Sequence, residues 1–215
     1  MAKVFNPLHS EDVRGKVGGI VFSRSKQGPT VRLRVNPSQP QTADQMLVRG
    51  YLATASAAWA SLTTQQRDSW DTYAGLHPVS NVFGETTYLS GHQYYCRCAC
   101  ILLALGKSVP TTAPAVAAPT NVANIVATPG SGQVSIAFTA KAGTNLSVAC
   151  DLFGPHSAGI NVKQAMCNLN GYHPAETTPW VITGLAAGLH TAFIYVASED
   201  TGLLSTATKI SFTVP

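Results

Sequence analysis

The chain changes its chemical character close to residue 109, and this change limits what it can fold into. Residues 1–108 carry eleven lysines and arginines against six acidic residues, whereas residues 109–215 carry three against four. Residues 109–120 contain three prolines, which stiffen a chain and interrupt regular structure. The sequence therefore predicts a basic docking domain at 1–108, a Pro/Ala/Thr linker at 109–120 and a second domain at 121–215.

The composition favours association. Only 11% of the 215 residues are charged, against about a quarter in ordinary soluble domains. Surfaces with little charge tend to associate, so we expect a homo-oligomer or a larger assembly. The longest apolar run, 98–105, is much shorter than the ~20 residues of a membrane span, and the first residues lack the pattern of a secretory leader. We therefore expect no membrane partner and synthesis in a cytoplasm.

The N-terminal half begins with a β-ribbon arm. Residues 20–25 and 30–35 show strand character, and the intervening residues include Gly28 and Pro29, which favour a turn. In the second strand apolar and basic side chains alternate, so that one face is apolar and the other basic. A two-stranded ribbon is marginal alone. We expect it to pack on the helices that follow or to join a neighbouring subunit's sheet.

Three helices are predicted after the arm. Thr42 caps the first helix, 43–61, and capping boxes at Thr63/Gln66 and Ser90/Gln93 begin the other two. Trp59 and Trp70 are expected to pack across the turn between the first two helices. One stripe of the first helix follows helical spacing: Leu47, Tyr51, Ala55, Ala58 and Leu62.

The second half has the pattern of an all-β domain. Short runs of alternating residues recur between turn signals, at 121–127, 133–140, 146–153, 160–167, 180–184, 190–197 and 206–214. Seven short strands at this spacing are typical of an immunoglobulin-like sandwich. The predicted fold is thus an α+β N-terminal module, with a β-ribbon arm and about three helices, followed by an all-β immunoglobulin-like sandwich.

Particular phrases in the second half strengthen this interpretation. They are TGL at 183–185, Gly188, and HTAFIYVA at 190–197. On these residues the C-terminal half resembles the fibronectin type III family. That resemblance implies a displayed domain but no particular ligand. The family's early core tryptophan is missing, and we expect Phe138 to take its place.

The N-terminal half carries four distinctive phrases. They are GGIVFSR at 18–24, GPTVR at 28–32, NPSQPQT at 36–42 and WASLTTQQRDSW at 59–70. On these phrases it is similar to an uncharacterised family of small structural proteins from tailed bacteriophages and prophages. The resemblance implies a place in the virion and supplies no functional residues.

No metal site or active site is predicted. His92, Cys96 and Cys100 form one helical stripe, but they lack the fourth ligand that zinc prefers, and free cysteines are commonly apolar core residues. None of the six histidines lies in a recognisable motif with a nucleophile. We predict no catalytic residue, no cofactor and no enzymatic activity. Cys150 and Cys167 could face each other, and the sequence leaves open whether they form a disulfide.

Two overlapping sets of residues are candidates for binding. The first is expected to dock on the particle or on neighbouring subunits: Val31, Arg32, Leu33, Arg34, Trp59 and Trp70. The second is basic, and could contact nucleic acid or an acidic protein surface: Arg24, Lys26, Arg32 and Arg34.

The leading hypothesis is a non-enzymatic bacteriophage virion protein, made in the bacterial cytoplasm. Its N-terminal module would dock on capsid or tail subunits, and its C-terminal domain would face outward as in a capsid decoration protein. One alternative is a tail or neck fibre or adaptor that adheres to the host surface, where Tyr172 and Trp180 are candidates for glycan contact. Another is an internal DNA-binding packaging protein that uses the basic ribbon.

Overall fold

The computed structural model describes residues 2–3, 13–25, 28–35, 41–80, 85–141 and 145–215. Within these ranges the protein has an α+β fold, as the sequence predicts. A small sheet and three helices come first, and seven strands in two further antiparallel sheets follow.

The N-terminal arm is a four-stranded antiparallel sheet, wider than the predicted two-stranded ribbon. Its strands are β1 (Ala2–Lys3), β2 (Gly15–Val17), β3 (Ile20–Ser25) and β4 (Gly28–Leu33), in the order β1-β4-β3-β2. The last strand ends at Leu33, two residues earlier than predicted. The Arg34 N–H still donates to the carbonyl of Gly19 at 2.8 Å, which continues the alternation past the end of β4.

The three helices begin where their capping residues place them. They are α1 (Ala43–Ser61), α2 (Thr64–Leu76) and α3 (Gly91–Ala104). The Thr42 hydroxyl accepts from the Gln45 N–H, and both predicted capping boxes are present, at Thr63/Gln66 and Ser90/Gln93. These side chains satisfy backbone N–H groups that have no partner within a helix, which fixes the first turn.

The helices share an aromatic core in which α3 contacts both α1 and α2. Trp70 and Tyr95 are completely buried there, with ring centroids 5.4 Å apart in a T-shaped arrangement. Gly91 brings α3 close to α2, because an added Cβ would lie 2.7 Å from the Asp71 nitrogen. The short strands β5 (Val79–Ser80) and β6 (Thr86–Thr87) pair between α2 and α3.

The C-terminal half contains two antiparallel sheets with one common core. The strands are β7 (Val126–Gly130), β8 (Gln133–Ala137), β9 (Leu146–His156), β10 (Asn168–Pro174), β11 (Trp180–Thr183), β12 (Gly188–Ser198) and β13 (Thr208–Val214). One sheet has the order β10-β9-β12-β13 and the other β11-β8-β7. Val134 and Ile136 from the second sheet are buried with Val148, Ile194 and Val196 from the first.

The prediction of a strand at residues 160–167 is wrong. Gln164–Met166 forms a turn of 3-10 helix, and the strand begins only at Asn168. The apolar alternation misled the prediction because Val162 is buried without taking part in a ladder. Its carbonyl accepts a hydrogen bond from Lys209 Nζ at 2.9 Å instead. Cys150 and Cys167 are both free thiols.

The junction between the two halves is closely packed. Val109 and Ala113, in the segment predicted as a linker, pack against the helical core, and the Ala113 N–H donates to Ser69 Oγ at 3.2 Å. Leu203, in the turn after β12, is buried in the same core. The helices and the C-terminal half therefore contact each other directly, through Leu203 in the turn after β12.

Candidate docking surface

The register of the N-terminal sheet gives it one apolar face. Residues paired across antiparallel strands lie on the same face. Ile20 pairs with both Val17 and Leu33, and Phe22 pairs with Val31. Phe22 is buried, whereas Leu33 is 73% exposed. Two of the predicted docking residues, Val31 and Leu33, therefore lie together on an apolar face that is partly open to solvent.

The opposite face of the sheet is basic. Arg32 pairs with Val21, which in turn pairs with Lys16, and Arg34 continues the alternation beyond Arg32. Lys16 therefore lies on the basic face with Arg32 and Arg34, although the sequence did not identify it as a candidate contact residue. The glycines around residue 16 concealed a third strand, and an apolar–basic alternation cannot be recognised over three residues.

The predicted set of four basic contact residues is not assembled as expected. Arg24 pairs with Pro29 and therefore lies on the apolar side of the sheet, away from Arg32 and Arg34. Residues two positions apart along a strand share a face, so Arg24 lies on the same face as Phe22. The prediction that Arg24 shares a surface with Arg32 and Arg34 is therefore corrected. Lys26 lies outside the described residues.

Helix α1 has a solvated N-terminal half. Its predicted stripe packs in the helical core only from Ala55 onward, where Ala55 and Leu62 are buried. Leu47, at the other end of the stripe, is 54% exposed. The large apolar side chains around it are also exposed: Met46, Val48 and Leu52.

Trp70 is not a docking residue. It is completely buried and makes T-shaped contacts with Tyr73 and Tyr95, so no partner surface can reach it. Trp59 is half-buried, with its ring against those of His92 and Tyr95 at centroid distances of 5.3 and 5.2 Å. The sequence predicted that both tryptophans pack across the turn between α1 and α2, whereas the rings of both contact Tyr95 of α3.

Exposed apolar side chains concentrate in the N-terminal quarter of the chain. Of sixteen large hydrophobic residues that are exposed in the described part of the chain, eight lie between residues 17 and 52. Scattered exposed hydrophobics are normal on a soluble protein, whereas contiguous apolar patches are candidates for interaction surfaces. We define a candidate docking surface by two patches. The sheet patch is Val17, Ile20, Leu33 and Val35, and the helix patch is Met46, Leu47, Val48 and Leu52.

Two members of the histidine and cysteine stripe on α3 lie close together. His92 Nε2 lies 3.4 Å from Cys96 Sγ. Burial raises the pKa values of the Cys96 and Cys100 thiols, and this favours the protonated form over the thiolate that metals bind. Within the described ranges no three histidine, cysteine or acidic residues converge on a point that could hold an ion.

Tyr172 and Trp180 do not form a shared aromatic platform. Trp180 packs against the core between the two C-terminal sheets and stacks on His173, with ring centroids 5.4 Å apart. Tyr172 pairs with Ala149 on the opposite face of its sheet from His173. Burial, together with the nearby Asp151, raises the Tyr172 pKa to about 12. A sugar ring could not stack on both side chains at once.

A cavity in the C-terminal half lies beside a buried histidine. It has a volume of about 310 Å³ and is lined in part by Gly154, Pro155, Asn168 and His190. His190 Nε2 lies 2.8 Å from the carbonyl oxygen of Ala186, and its ring stacks on Phe212. No nucleophilic serine or cysteine lines the cavity. These contacts hold the His190 ring in place between Ala186 and Phe212.

Across the described ranges, no helix is long and apolar enough to cross a membrane.

Comparison with known proteins does not identify a family for this chain. No family model matches the chain, and no curated protein matches it. A solved structure that resembles part of it is the spore cortex lytic enzyme SleM of Clostridium perfringens. The similarity covers 49% of this chain at 16% identity with a TM-score of 0.35, and it spans only 31% of the enzyme chain.

This match contradicts the prediction that the protein is not an enzyme, and we withdraw that prediction, because the similar structure belongs to an enzyme. At a TM-score of 0.35 the likeness carries no activity, substrate or catalytic residue to this chain.

Proposed function

We propose that the protein is a structural component of a bacteriophage virion, which docks through its N-terminal surface and carries its C-terminal domain outward. The observation that carries this proposal is the concentration of exposed apolar residues in the sheet and helix patches. A surface of this kind needs a partner in an assembly. The phage-family resemblance of the N-terminal half and the low charge of the whole chain support the same conclusion.

The outward domain, in this proposal, is an immunoglobulin-like sandwich of the fibronectin type III kind. Its support is a three-stranded and a four-stranded antiparallel sheet around one core, with chain crossings between the sheets after β8, β10 and β11. Phe138 is buried in that core, where the family's tryptophan is expected. Such a domain displays loops at its ends and tolerates many ligands, including weakly bound host glycans.

A capsid position, as in a decoration protein, is favoured over a tail or neck position. Many symmetry-related copies would present the C-terminal domain repeatedly, and weak contacts to a host surface would then add through avidity. The packed junction supports this arrangement, because Val109, Ala113 and Leu203 hold the outer domain in one orientation on the helices.

Labelling of intact particles tests the proposal. Gold-conjugated antibody against residues 121–215 should decorate the heads of purified particles. Antibody pre-adsorbed with the recombinant chain is the control. Label confined to the tail or neck would move the protein to that apparatus, and label that appears only after particles are disrupted would contradict outward display.

The basic face supports a second candidate, an internal DNA-binding protein. Lys16, Arg32 and Arg34 share that face. Each phosphate contact contributes close to one unit to the dependence of affinity on salt concentration. In this case Arg32→Ala should lower the slope of log K against log salt by about one. Lys163→Ala, an exposed cation on the C-terminal half, should leave it unchanged.

A further inference from the structure

Two irregularities in the four-stranded C-terminal sheet meet at the cavity beside His190. In the pairing of β10 with β9, Asn170 is an extra residue with no partner opposite it. In the pairing of β9 with β12, the segment Gly154–Pro155 lies opposite the single residue His190. The sheet has no other register shift among its described residues, and all of these residues line the cavity. Such β-bulges redirect side chains and are common beside functional sites.

The wall of this cavity is uncharged and presents both amide and apolar groups. None of the described residues that line it is a lysine, an arginine or a carboxylate. The exposed side-chain amides of Asn168 and Asn170 can both donate and accept hydrogen bonds. Leu152 and Leu185 pack against the domain core and give the cavity an apolar side. A ligand that matches this wall is neutral, carries several hydroxyl groups and is partly apolar.

The buried His190 leaves one acceptor in the wall without a partner. Its Nε2 lies 2.8 Å from the Ala186 carbonyl oxygen, which only accepts, so in the neutral ring Nε2 carries the hydrogen and Nδ1 is an acceptor. Nδ1 is buried with no hydrogen-bond partner among the described residues, next to Gly154, where an added Cβ would collide with it. Buried polar atoms are seldom unpaired. A hydroxyl donor that enters beside Gly154 would satisfy this nitrogen.

The cavity lies at the opposite end of β12 from the helices. His190 is near the start of this strand, and the turn that carries Leu203 into the helical core follows the end of the strand at Ser198. The strand between His190 and Ser198 is about 26 Å long. In the proposed arrangement on the particle, this end of the domain faces away from the helices and is accessible to a polymer on the host surface.

The cavity suits a sugar better than a peptide. β10 is an edge strand, and an extended peptide would bind by pairing with its free backbone groups. The bulge at Asn170 bends and twists β10 at the cavity, which disfavours pairing with a further strand. With a volume of about 310 Å³, the cavity is close to the lower limit of ligand pockets, roughly 300 Å³. It therefore accepts a group of the size of a single sugar ring.

We propose that this cavity binds one neutral sugar residue of a surface polysaccharide. The amides of Asn168 and Asn170 bond its hydroxyl groups, and the leucine side of the cavity contacts its C–H groups. The proposal rests on the outward display of the C-terminal domain for its setting, and it adds the class of ligand and the place where that ligand binds. Because the wall is uncharged, the affinity should not depend on salt concentration.

Saturation-transfer NMR on the full chain tests the proposal. The probes are glucose, galactose, mannose and N-acetylglucosamine, with N-acetyl-alanyl-alanine amide as a neutral peptide. We expect transfer to at least one sugar, with millimolar affinity, and none to the peptide. The double variant Asn168→Ala, Asn170→Ala should weaken sugar binding about tenfold, because two hydrogen bonds are lost. The control Asn161→Ala removes an exposed amide outside the cavity and should leave the affinity unchanged.

A second variant blocks the cavity without removing an amide. Ala186→Trp places a large side chain at an exposed position in the wall and should abolish sugar binding. Backbone amide NMR spectra verify that every variant is folded. Transfer to no sugar, transfer to the peptide, or wild-type affinity in either cavity variant would overturn the proposal, as would an affinity that falls steeply with salt. None of these outcomes depends on where antibody labels the particle, so the proposed function is tested separately.

Discussion

Lys107 Nζ lies 2.8 Å from Glu199 Oε2, and this ion pair joins the end of α3 to the turn after β12. The other carboxylate oxygen of Glu199 accepts from Ser147 Oγ at 2.6 Å. Glu199 thereby connects the helical half with a strand of the C-terminal sheet.

The ion pair predicts a pH dependence of stability. Hydrogen bonds from Lys107 and from Ser147 lower the pKa of Glu199. A carboxyl group whose pKa is lower in the folded state stabilises the fold above its unfolded value, near 4.3, and loses that contribution as the pH falls through the folded pKa. Glu199→Gln should therefore be slightly less stable than the wild type at pH 7 in urea unfolding. The difference should shrink as the pH falls below the unfolded value and through the lower folded pKa, and a difference that stays constant would show that the carboxylate charge is irrelevant.

Gly202 predicts a specific steric effect at the junction. It has φ +69°, and a Cβ placed there would collide with the carbonyl oxygen of Cys98 in α3. Gly132 has nearly the same φ, +67°, but its nearest neighbour would be the Leu185 carbonyl oxygen at 3.8 Å. Gly132→Ala should lose roughly 1–2 kcal/mol of unfolding free energy from backbone strain alone. Gly202→Ala should lose about 1–3 kcal/mol more because of the overlap. Equal losses of stability in the two variants would mean that the turn at Gly202 can shift away from α3 and relieve the overlap.

Trp70 is predicted to matter for stability and not for docking. Truncation of a completely buried tryptophan to alanine typically costs 3–5 kcal/mol. We expect a loss of this size for Trp70→Ala in denaturant unfolding and a smaller loss for the half-buried Trp59→Ala. If Trp70→Ala left the stability unchanged but prevented incorporation into particles, the tryptophan would be a contact residue after all.

The cysteines should react with alkylating reagents in a defined order. Burial raises the pKa of Cys98 to about 11 and that of Cys150 to about 12, so the reactive thiolate is scarce at both. Cys100 and Cys167 are only half-buried. Mass spectrometry after brief treatment with iodoacetamide at pH 8 should show Cys100 and Cys167 modified first, and Cys98 and Cys150 only after unfolding. Early modification of Cys150 would contradict the core described for the C-terminal sheets.

Local signals in the sequence were sufficient to predict the helices. The capping boxes at Thr63/Gln66 and Ser90/Gln93 begin helices because each satisfies backbone groups within its own turn. The same local reasoning failed at 160–167, where the Val162 carbonyl accepts its hydrogen bond from Lys209, far along the chain, and not from a neighbouring strand. It also could not show that Val109 and Ala113 lie on the helices, because prolines indicate a break in regular structure and give no information about what the break touches.

The candidate surface was predictable in part. Alternation along residues 30–35 gave the two faces of β4 correctly, since the period of a strand is set by its own geometry. Which other residues share each face depends on the register between strands. That is why Arg24 was placed with the wrong neighbours and Lys16 was missed. The exposure of Leu47 was equally hidden, because the sequence shows a continuous stripe and does not show where α3 stops covering it.

Leu203 has a mechanical consequence. Its side chain belongs to the C-terminal half but is buried among the helices, and the chain between the halves lies against the same core. A force that pulls on the C-terminal domain therefore acts directly on α3, because the segment between the two halves is packed on the helices and cannot extend first. The helices and the C-terminal sheets should resist that force as one unit, and they should also melt in one cooperative step.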